Sequence, residues 1–331
     1  MGGMRVLVAP DKFKGTFSAA QVAAAIGRGV ERAGHEPPDL CPVADGGDGT
    51  LAVLLTALGG ETAGAEASDP RGVPVRAGFA LLEDGGTAVV EVAEASGLAR
   101  VPAAERTPEA AVAASSYGTG ELIAAAVAAG AQVVLVAAGG SATTDAGFGA
   151  IAAIEEHGGL RGAKLVVLCD VRTPFEQAAV RFAPQKGADA AAVDLLTRRL
   201  ADQAASLPKD PRGVPLTGAA GGLAGGLWAR FGATLEPGAP FVLEALDFDD
   251  RMRAAHAVVT GEGRIDATTL EGKAVGEVAV RCRQAGVPCH AVCGANALSL
   301  FDQRILDVQH IAAAPALGAI EAAGEDIARH L

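Results

Sequence analysis

Two carboxylates flank a pair of glycines in Asp45-Gly-Gly-Asp48. Such a turn suits Mg2+, which takes one or two carboxylates and leaves its other positions to phosphate oxygens, and it suits proton abstraction. It also suits a plain turn whose Asp side chains accept backbone N–H groups. Asp170, at the end of an apolar run, carries the same readings. Gly139-Gly-Ser-Ala-Thr143 offers close backbone approach and two hydroxyls, which makes it either a phosphate cradle or a strand-to-helix turn with a hydroxyl cap. In Asp11-Lys-Phe-Lys14 the lysines are either solvated or meet a carboxylate or phosphate as point charges. Gly261-Glu-Gly-Arg-Ile-Asp266 sets Glu262, Arg264 and Asp266 two apart, so Arg264 either clamps a substrate carboxylate or pairs with Asp266. Lys273 opens a helix, the wrong end of the dipole for a cation unless an anion sits nearby.

These loops need a scaffold that brings them to one side. Residues 5–9, 133–136, 165–168, 257–260 and 287–292 are short β-branched or apolar runs, each read as a buried strand, and 311–315 is a further one. Helices follow: residues 19–33, with Ser18 and Gln21 spaced as a capping box, then 50–58, 108–115, 121–129, one to about 157, and 273–285. Strand, glycine-bearing loop and helix recur, which is the pattern of a parallel α/β sheet with ligands beyond the strand carboxyl ends. Residues 61–94 differ: polar and apolar residues alternate between turn signals, as in antiparallel hairpins. A second glycine-rich opening, residues 218–226, leads to a helix with Trp228 expected in a core.

The chain has 331 residues, enough for two domains, and half of them are hydrophobic. Only 4% are aromatic, so the core is aliphatic. The formal net charge of −12 and the lack of a Lys/Arg cluster argue against nucleic-acid binding. Five cysteines without a C-x-x-C pair fit reduced thiols in the cytoplasm, not a disulfide framework or a zinc site. The first ten residues do not read as a signal peptide, and no stretch is long enough to span a bilayer. No G-x-x-x-x-G-K-[ST] sequence exists, which excludes a P-loop NTPase. Gly147-Phe-Gly-Ala-Ile-Ala152 satisfies a dinucleotide pattern but falls inside a helical stretch, so an NAD-linked dehydrogenase is a weaker alternative, as is a ligand-binding regulator without turnover.

An ordered set of segments resembles the bacterial type I glycerate kinases. It comprises Ala9-Pro-Asp-Lys-Phe-Lys-Gly-Thr16, Pro42-Val-Ala-Asp-Gly-Gly-Asp-Gly-Thr50, Glu94-Ala-Ser-Gly-Leu98 and Gly118-Thr-Gly-Glu-Leu-Ile123. It continues with Gly139-Gly-Ser-Ala-Thr143 and Asp145, Pro184-Gln-Lys-Gly-Ala188, Gly218-Ala-Ala-Gly-Gly222, and Val259 to Asp266 with Gly272-Lys273. Asp48 stands where Glu is common, Thr144 where Asn is expected, and residues 173–182 are shorter than the family pattern. The resemblance implies two α/β domains, one Rossmann- or flavodoxin-like with a parallel sheet, the other inserted into it and carrying antiparallel strands. The division is expected at residues 1–59 with 251–331 against 60–250. It further implies ATP and Mg2+ in the cleft and phosphorylation of D-glycerate, usually to 2-phosphoglycerate, with the 3-hydroxyl as the alternative acceptor.

The expected reaction is in-line phosphoryl transfer, in which positioning and charge neutralisation dominate. Gly139, Gly140, Ser141 and Thr143 are expected on the ATP phosphates, with Lys186 or Lys273 neutralising the transferred group. Mg2+ is expected on one or more of Asp45, Asp170 and Glu262. Lys12, Lys14, Arg264 and Asp266 are the substrate-binding candidates. Asp45 is the first choice to accept the hydroxyl proton, with Asp145 and Asp266 as alternatives and Lys14 and Lys273 beside them. A small-molecule substrate is expected, with no nucleic-acid or membrane partner; a homo-oligomer is left open.

Overall fold

The computed structural model describes residues 4–331. Among them the strands run in chain order as β1 (Val6–Pro10), β2 (Asp39–Leu40), β3 (Gly60–Ser68), β4 (Pro74–Leu82), β5 (Thr87–Glu91), β6 (Val133–Ala138), β7 (Lys164–Cys169), β8 (Thr234–Pro237), β9 (Ala257–Ile265), β10 (Cys289–Asn296) and β11 (His310–Ala313). The chain divides into two compact units, Met1–Asp45 with Ala239–Leu331, and Gly46–Gly238.

The first unit holds a parallel sheet of order β11-β10-β9-β1-β2. All its pairings are parallel, with Val8 opposite both Leu40 and Val259, and His290 also opposite Val259. Its three central strands, β1, β9 and β10, are largely buried, as parallel strands covered by helices must be, while the edge strands β2 and β11 are exposed in part. The helix Ala19–Arg32 opens on a complete capping box. Gln21 N donates to Ser18 Oγ at 3.2 Å, and Ser18 N donates to Gln21 Oε1 at 2.9 Å. This helix lies against the helix Leu317–Arg329, and glycines set the spacing: a Cβ on Gly29 would strike the Glu321 carbonyl. At the rim Arg28 and Arg32 both pair with Glu321, at 2.8 and 2.6 Å.

The second unit holds a mixed sheet of order β3-β4-β5-β6-β7-β8, antiparallel from β3 to β5 and parallel from β5 to β8. The α/β architecture, with one parallel sheet and one sheet carrying antiparallel strands, is the one the sequence implies. The helix Thr50–Leu58 contacts β4 and β5 and has its first turn met by a carboxylate, with Leu51 N donating to Glu91 Oε1 at 2.7 Å. For this reason the helix counts with the second unit, which begins at Gly46 and not at residue 60.

Three local expectations differ. Residues 261–265 are strand, because β9 continues beside β10 as far as Ile265 opposite Asn296. Residues 118–120 are helical, inside Tyr117–Ala128. Trp228 is half-buried and carries Lys209 Nζ 5.3 Å from its ring centroid, a surface cation–π contact in place of a core position.

Candidate active site

In the first unit three carboxylates leave neighbouring strands at the carboxyl end of the parallel sheet, the end at which such sheets bind ligands. Pro10 lies opposite Gly261, and Asp11 N donates to the Gly261 carbonyl at 2.8 Å. Val43 N donates to the Pro10 carbonyl at 2.9 Å. Asp11, Glu262 and Asp45 follow these anchored residues. Asp11 is buried, and its Oδ1 accepts the Lys12 amide at 2.6 Å. Burial and the charges of Asp45 and Glu262 push its carboxyl up to about 8, against the pull of Lys12. Burial also raises the Glu262 carboxyl, opposed by Lys273 and by a hydrogen bond from Thr269 Oγ1 at 2.6 Å.

Lys273 stands just before the helix Ala274–Ala285 without capping it, and its Nζ lies 3.5 Å from Glu262 and 4.0 Å from Asp266. The anion its position calls for is therefore supplied by the protein itself. Asp266 is committed as well. Its Oδ1 accepts Thr268 N at 3.0 Å and Thr268 Oγ1 at 2.5 Å, while Arg264 Nε sits 3.3 Å from its Oδ2. Of the two readings of Arg264, the internal ion pair is present, although Arg264 is exposed. Lys12 is half-buried and Lys14 is exposed.

In the second unit Gly139, Gly140, Ser141 and Thr143 form the loop after β6. The loop is fastened on one side by Leu98 N to the Gly140 carbonyl at 2.8 Å and Ala142 N to the Ser96 carbonyl at 2.9 Å. Ser96 Oγ in turn accepts Thr119 Oγ1 at 2.7 Å. Gly139 is glycine for packing: a Cβ there would come within 2.5 Å of Gly47 Cα and 2.9 Å of Asp170 Oδ2. Gly221 and Gly226 are needed for the same kind of approach, since a Cβ on either would overlap the carbonyl oxygen of Thr143 or Ala146.

Lys186, only 4% exposed, reaches under this loop. Its Nζ donates to the Thr143 carbonyl at 2.6 Å and to Ser141 Oγ at 3.1 Å. Burial pushes the ammonium down to about 8, with Asp145 and Asp170 pulling it back up. Asp145 is fully occupied. Its Oδ2 accepts Ser116 N at 2.9 Å, Ser116 Oγ at 2.8 Å and Gly149 N at 3.2 Å, and its Oδ1 accepts Gly147 N at 3.2 Å. It thereby ties the start of Tyr117–Ala128 to the start of Phe148–Glu156. The latter helix begins five residues beyond Thr143, so the loop does not sit directly on its N-terminus.

A family model described as "Glycerate kinase family" matches residues 6–158 and 155–329. The chain belongs to the glycerate kinase family. It is 39% identical over 328 residues to a glycerate kinase of Bacillus subtilis, covering 88% of this chain and 85% of that one. It is 36% identical over 306 residues to the glycerate 2-kinase of Escherichia coli, covering 82% and 80%. A solved structure from Salmonella typhimurium LT2, of a chain named as a candidate glycerate kinase 2, aligns with a TM-score of 0.81 at 30% identity over 99% of this chain and 98% of that one.

The candidate residues of this glycerate kinase family member separate by unit: Lys12, Lys14, Asp45, Glu262, Arg264, Asp266 and Lys273 in the first, Gly139, Gly140, Ser141, Thr143, Asp145, Asp170 and Lys186 in the second. Sequence reasoning passed over Asp11, although it stands at a strand end, because its meaning depends on partners distant in the chain. It also passed over Arg199 and Gln203, which lie on the helix Ala190–Ser206 and donate to the carbonyls of Thr144 at 2.7 Å and Asp145 at 3.1 Å. Among the described residues no helix is long and apolar enough to cross a membrane.

Proposed function

We propose that this protein transfers the γ-phosphoryl group of ATP to the 2-hydroxyl of D-glycerate, giving 2-phospho-D-glycerate and ADP. The observation that carries the reading is the family match along nearly the whole chain, together with the 36% identity to a relative named glycerate 2-kinase.

Among the described residues no three His, Cys, Asp or Glu side chains converge to cage a metal ion by themselves. Mg2+ in a kinase needs no such cage, since phosphate oxygens complete its shell. Asp45 and Glu262, whose charges together raise Asp11, are an oxygen donor set that fits such an ion, and Asp170 is the candidate in the other unit. When bound, Mg2+ would neutralise charge on the phosphate oxygens.

In the proposed mechanism Asp45 takes the proton of the glycerate hydroxyl as that oxygen attacks the γ-phosphorus and the bond to the β,γ-bridging oxygen breaks. Asp145 and Asp266 are given structural duties instead, Asp145 at the starts of two helices and Asp266 at Thr268. Burial and the neighbouring Asp45 and Glu262 bias Asp11 toward its protonated form, which limits the negative charge that the substrate meets. Lys12, Lys14 and Arg264 are assigned to the glycerate carboxylate, and Lys273 to charge on the transferred group. Gly139, Gly140, Ser141 and Thr143, with Lys186 beneath them, are assigned to the nucleotide phosphates.

The test is purified protein with D-glycerate, ATP and Mg2+, with enolase added, following phosphoenolpyruvate by absorbance and ADP separately. Phosphoenolpyruvate formed without a mutase is the expected result. Glycerate-dependent ADP without phosphoenolpyruvate would move the acceptor to the 3-hydroxyl, and no glycerate-dependent ADP would overturn the function.

A further inference from the structure

Among the described residues, seven buried side-chain polar atoms lack a hydrogen-bond partner, and four of them gather at one place: Thr143 Oγ1, Thr144 Oγ1, Arg199 Nε and Gln203 Oε1. Thr143 and Thr144 are 0% and 1% exposed. Around them the backbone is held in an unusual way. Three successive carbonyls are each taken by a different long side chain: Thr143 by Lys186 at 2.6 Å, Thr144 by Arg199 at 2.7 Å and Asp145 by Gln203 at 3.1 Å.

A trans peptide is planar, and its N–H points opposite to its C=O. Drawing the Thr143 and Thr144 carbonyls toward Lys186 and Arg199 therefore turns the amides of Thr144 and Asp145 the other way. Among the described residues neither amide donates to a backbone or side-chain acceptor, whereas the next one, Ala146 N, donates to the Gly221 carbonyl at 3.2 Å. Two adjacent amides without an acceptor, two unpartnered hydroxyls and the Arg199 Nε–H put five donors together, against Gln203 Oε1 as the one pure acceptor left unpartnered among them. Buried donors are rarely left unmatched, and a cluster of them calls for an oxygen-rich anion.

We propose that the turn of Thr143, Thr144 and Asp145 seats the β- or γ-phosphoryl group of the nucleotide, and that Arg199 and Gln203 are positioning residues that hold the turn in its receiving form. This rests on the kinase reading above and moves the phosphate contact from the glycines of the loop to its second half. Gly139 is explained by its approach to Gly47 and Asp170 and is free of that duty. Gln203 and Arg199 act only through the backbone they hold. Arg199 is anchored from its other nitrogen to the Val112 carbonyl at 2.7 Å, which fixes its reach.

The experiment compares ATP, AMP and D-glycerate binding by calorimetry in the whole protein and in the double variant Thr143→Val with Thr144→Val. Because the lost hydroxyls have no protein partner, the ligand-free melting temperature should hold or rise. The Kd for ATP should increase about tenfold or more, the loss expected for hydrogen bonds to a charged group, while those for AMP and glycerate stay put. A fall in melting temperature with ATP affinity intact would show that the turn holds only buried water, and would overturn the proposal. Equal weakening of ATP and AMP, or weakening of glycerate alone, would overturn it as well. Arg199→Met should raise the Kd for ATP and Arg199→Lys restore part of it; Gln203→Met repeats the test with a neutral donor should Arg199→Met not fold. A wild-type protein without glycerate-dependent ADP release would sink the kinase reading alone, since the ATP and AMP comparison still reads the turn.

Discussion

Lys186 Nζ donates to the carbonyl oxygen of Thr143 at 2.6 Å, a buried ammonium holding a backbone loop from a point 43 residues further along the chain. The bond explains how a lysine tolerates near-complete burial: a carbonyl and the Ser141 hydroxyl replace part of its water. Burial, which these two bonds only partly offset, leaves the lysine's proton less tightly held than in water.

That loosened proton gives a pH signature. Burial lowers Lys186 from its ordinary 10.5 to about 8, so between those values the unfolded chain binds more protons than the folded one. The Lys186 contribution to stability must therefore rise as pH rises from about 8 toward 10.5. Urea unfolding of wild type and Lys186→Met across this window should show the difference between them changing in favour of wild type as pH rises. A pH-independent difference would mean that the lysine is not strained by its burial.

Asp145→Ala should cost on the order of 3–5 kcal/mol, because it leaves Ser116 and the amides of Gly147 and Gly149 without their acceptor in the interior. Asp145→Asn should also destabilise, since an amide NH2 would face donors. Denaturant midpoints measure both. If Asp145 were instead the proton acceptor of the reaction, Asp145→Asn would fold normally and lose its turnover.

Asp45→Asn should show the converse: a normal melting temperature, with turnover down by roughly 10²–10⁴, the usual worth of a general base. Removing the charge should also let the Asp11 carboxyl fall from about 8, a shift readable by carbon-13 NMR of the side chain. Full turnover in a well-folded Asp45→Asn would take the proton-acceptor role away from Asp45.

What could be read from the sequence was local or repeated. Ser18 and Gln21 are three apart and cap their helix as their spacing requires. The parallel sheet shows through because each apolar run ends at a glycine-bearing loop. The continuation of β9 through Gly261 and Gly263 was hidden, since only the partner strand β10 makes those glycines extended. Arg199 and Gln203 look like any charged or polar residues on a helix face, and only the fold turns them inward to the carbonyls of a loop more than 50 residues away. Asp11 is plain in the sequence, but its raised proton affinity comes from Asp45 and Glu262, which the chain brings in from far apart.

Gly221 and Gly226 lie against the carbonyls of Thr143 and Ala146 with no room for even a methyl group. Every single-base change of a glycine codon that yields another amino acid adds at least that much. At these two positions the lineage has no small step to take, so the path of the backbone around Thr143 is inherited whole or lost. Variation that retunes the loop has to enter from behind it, at positions 186, 199 and 203, where side chains can lengthen, shorten or change charge by degrees. The strength with which this turn holds its ligand would then be adjusted by the side chains behind it, while the turn itself stays constant.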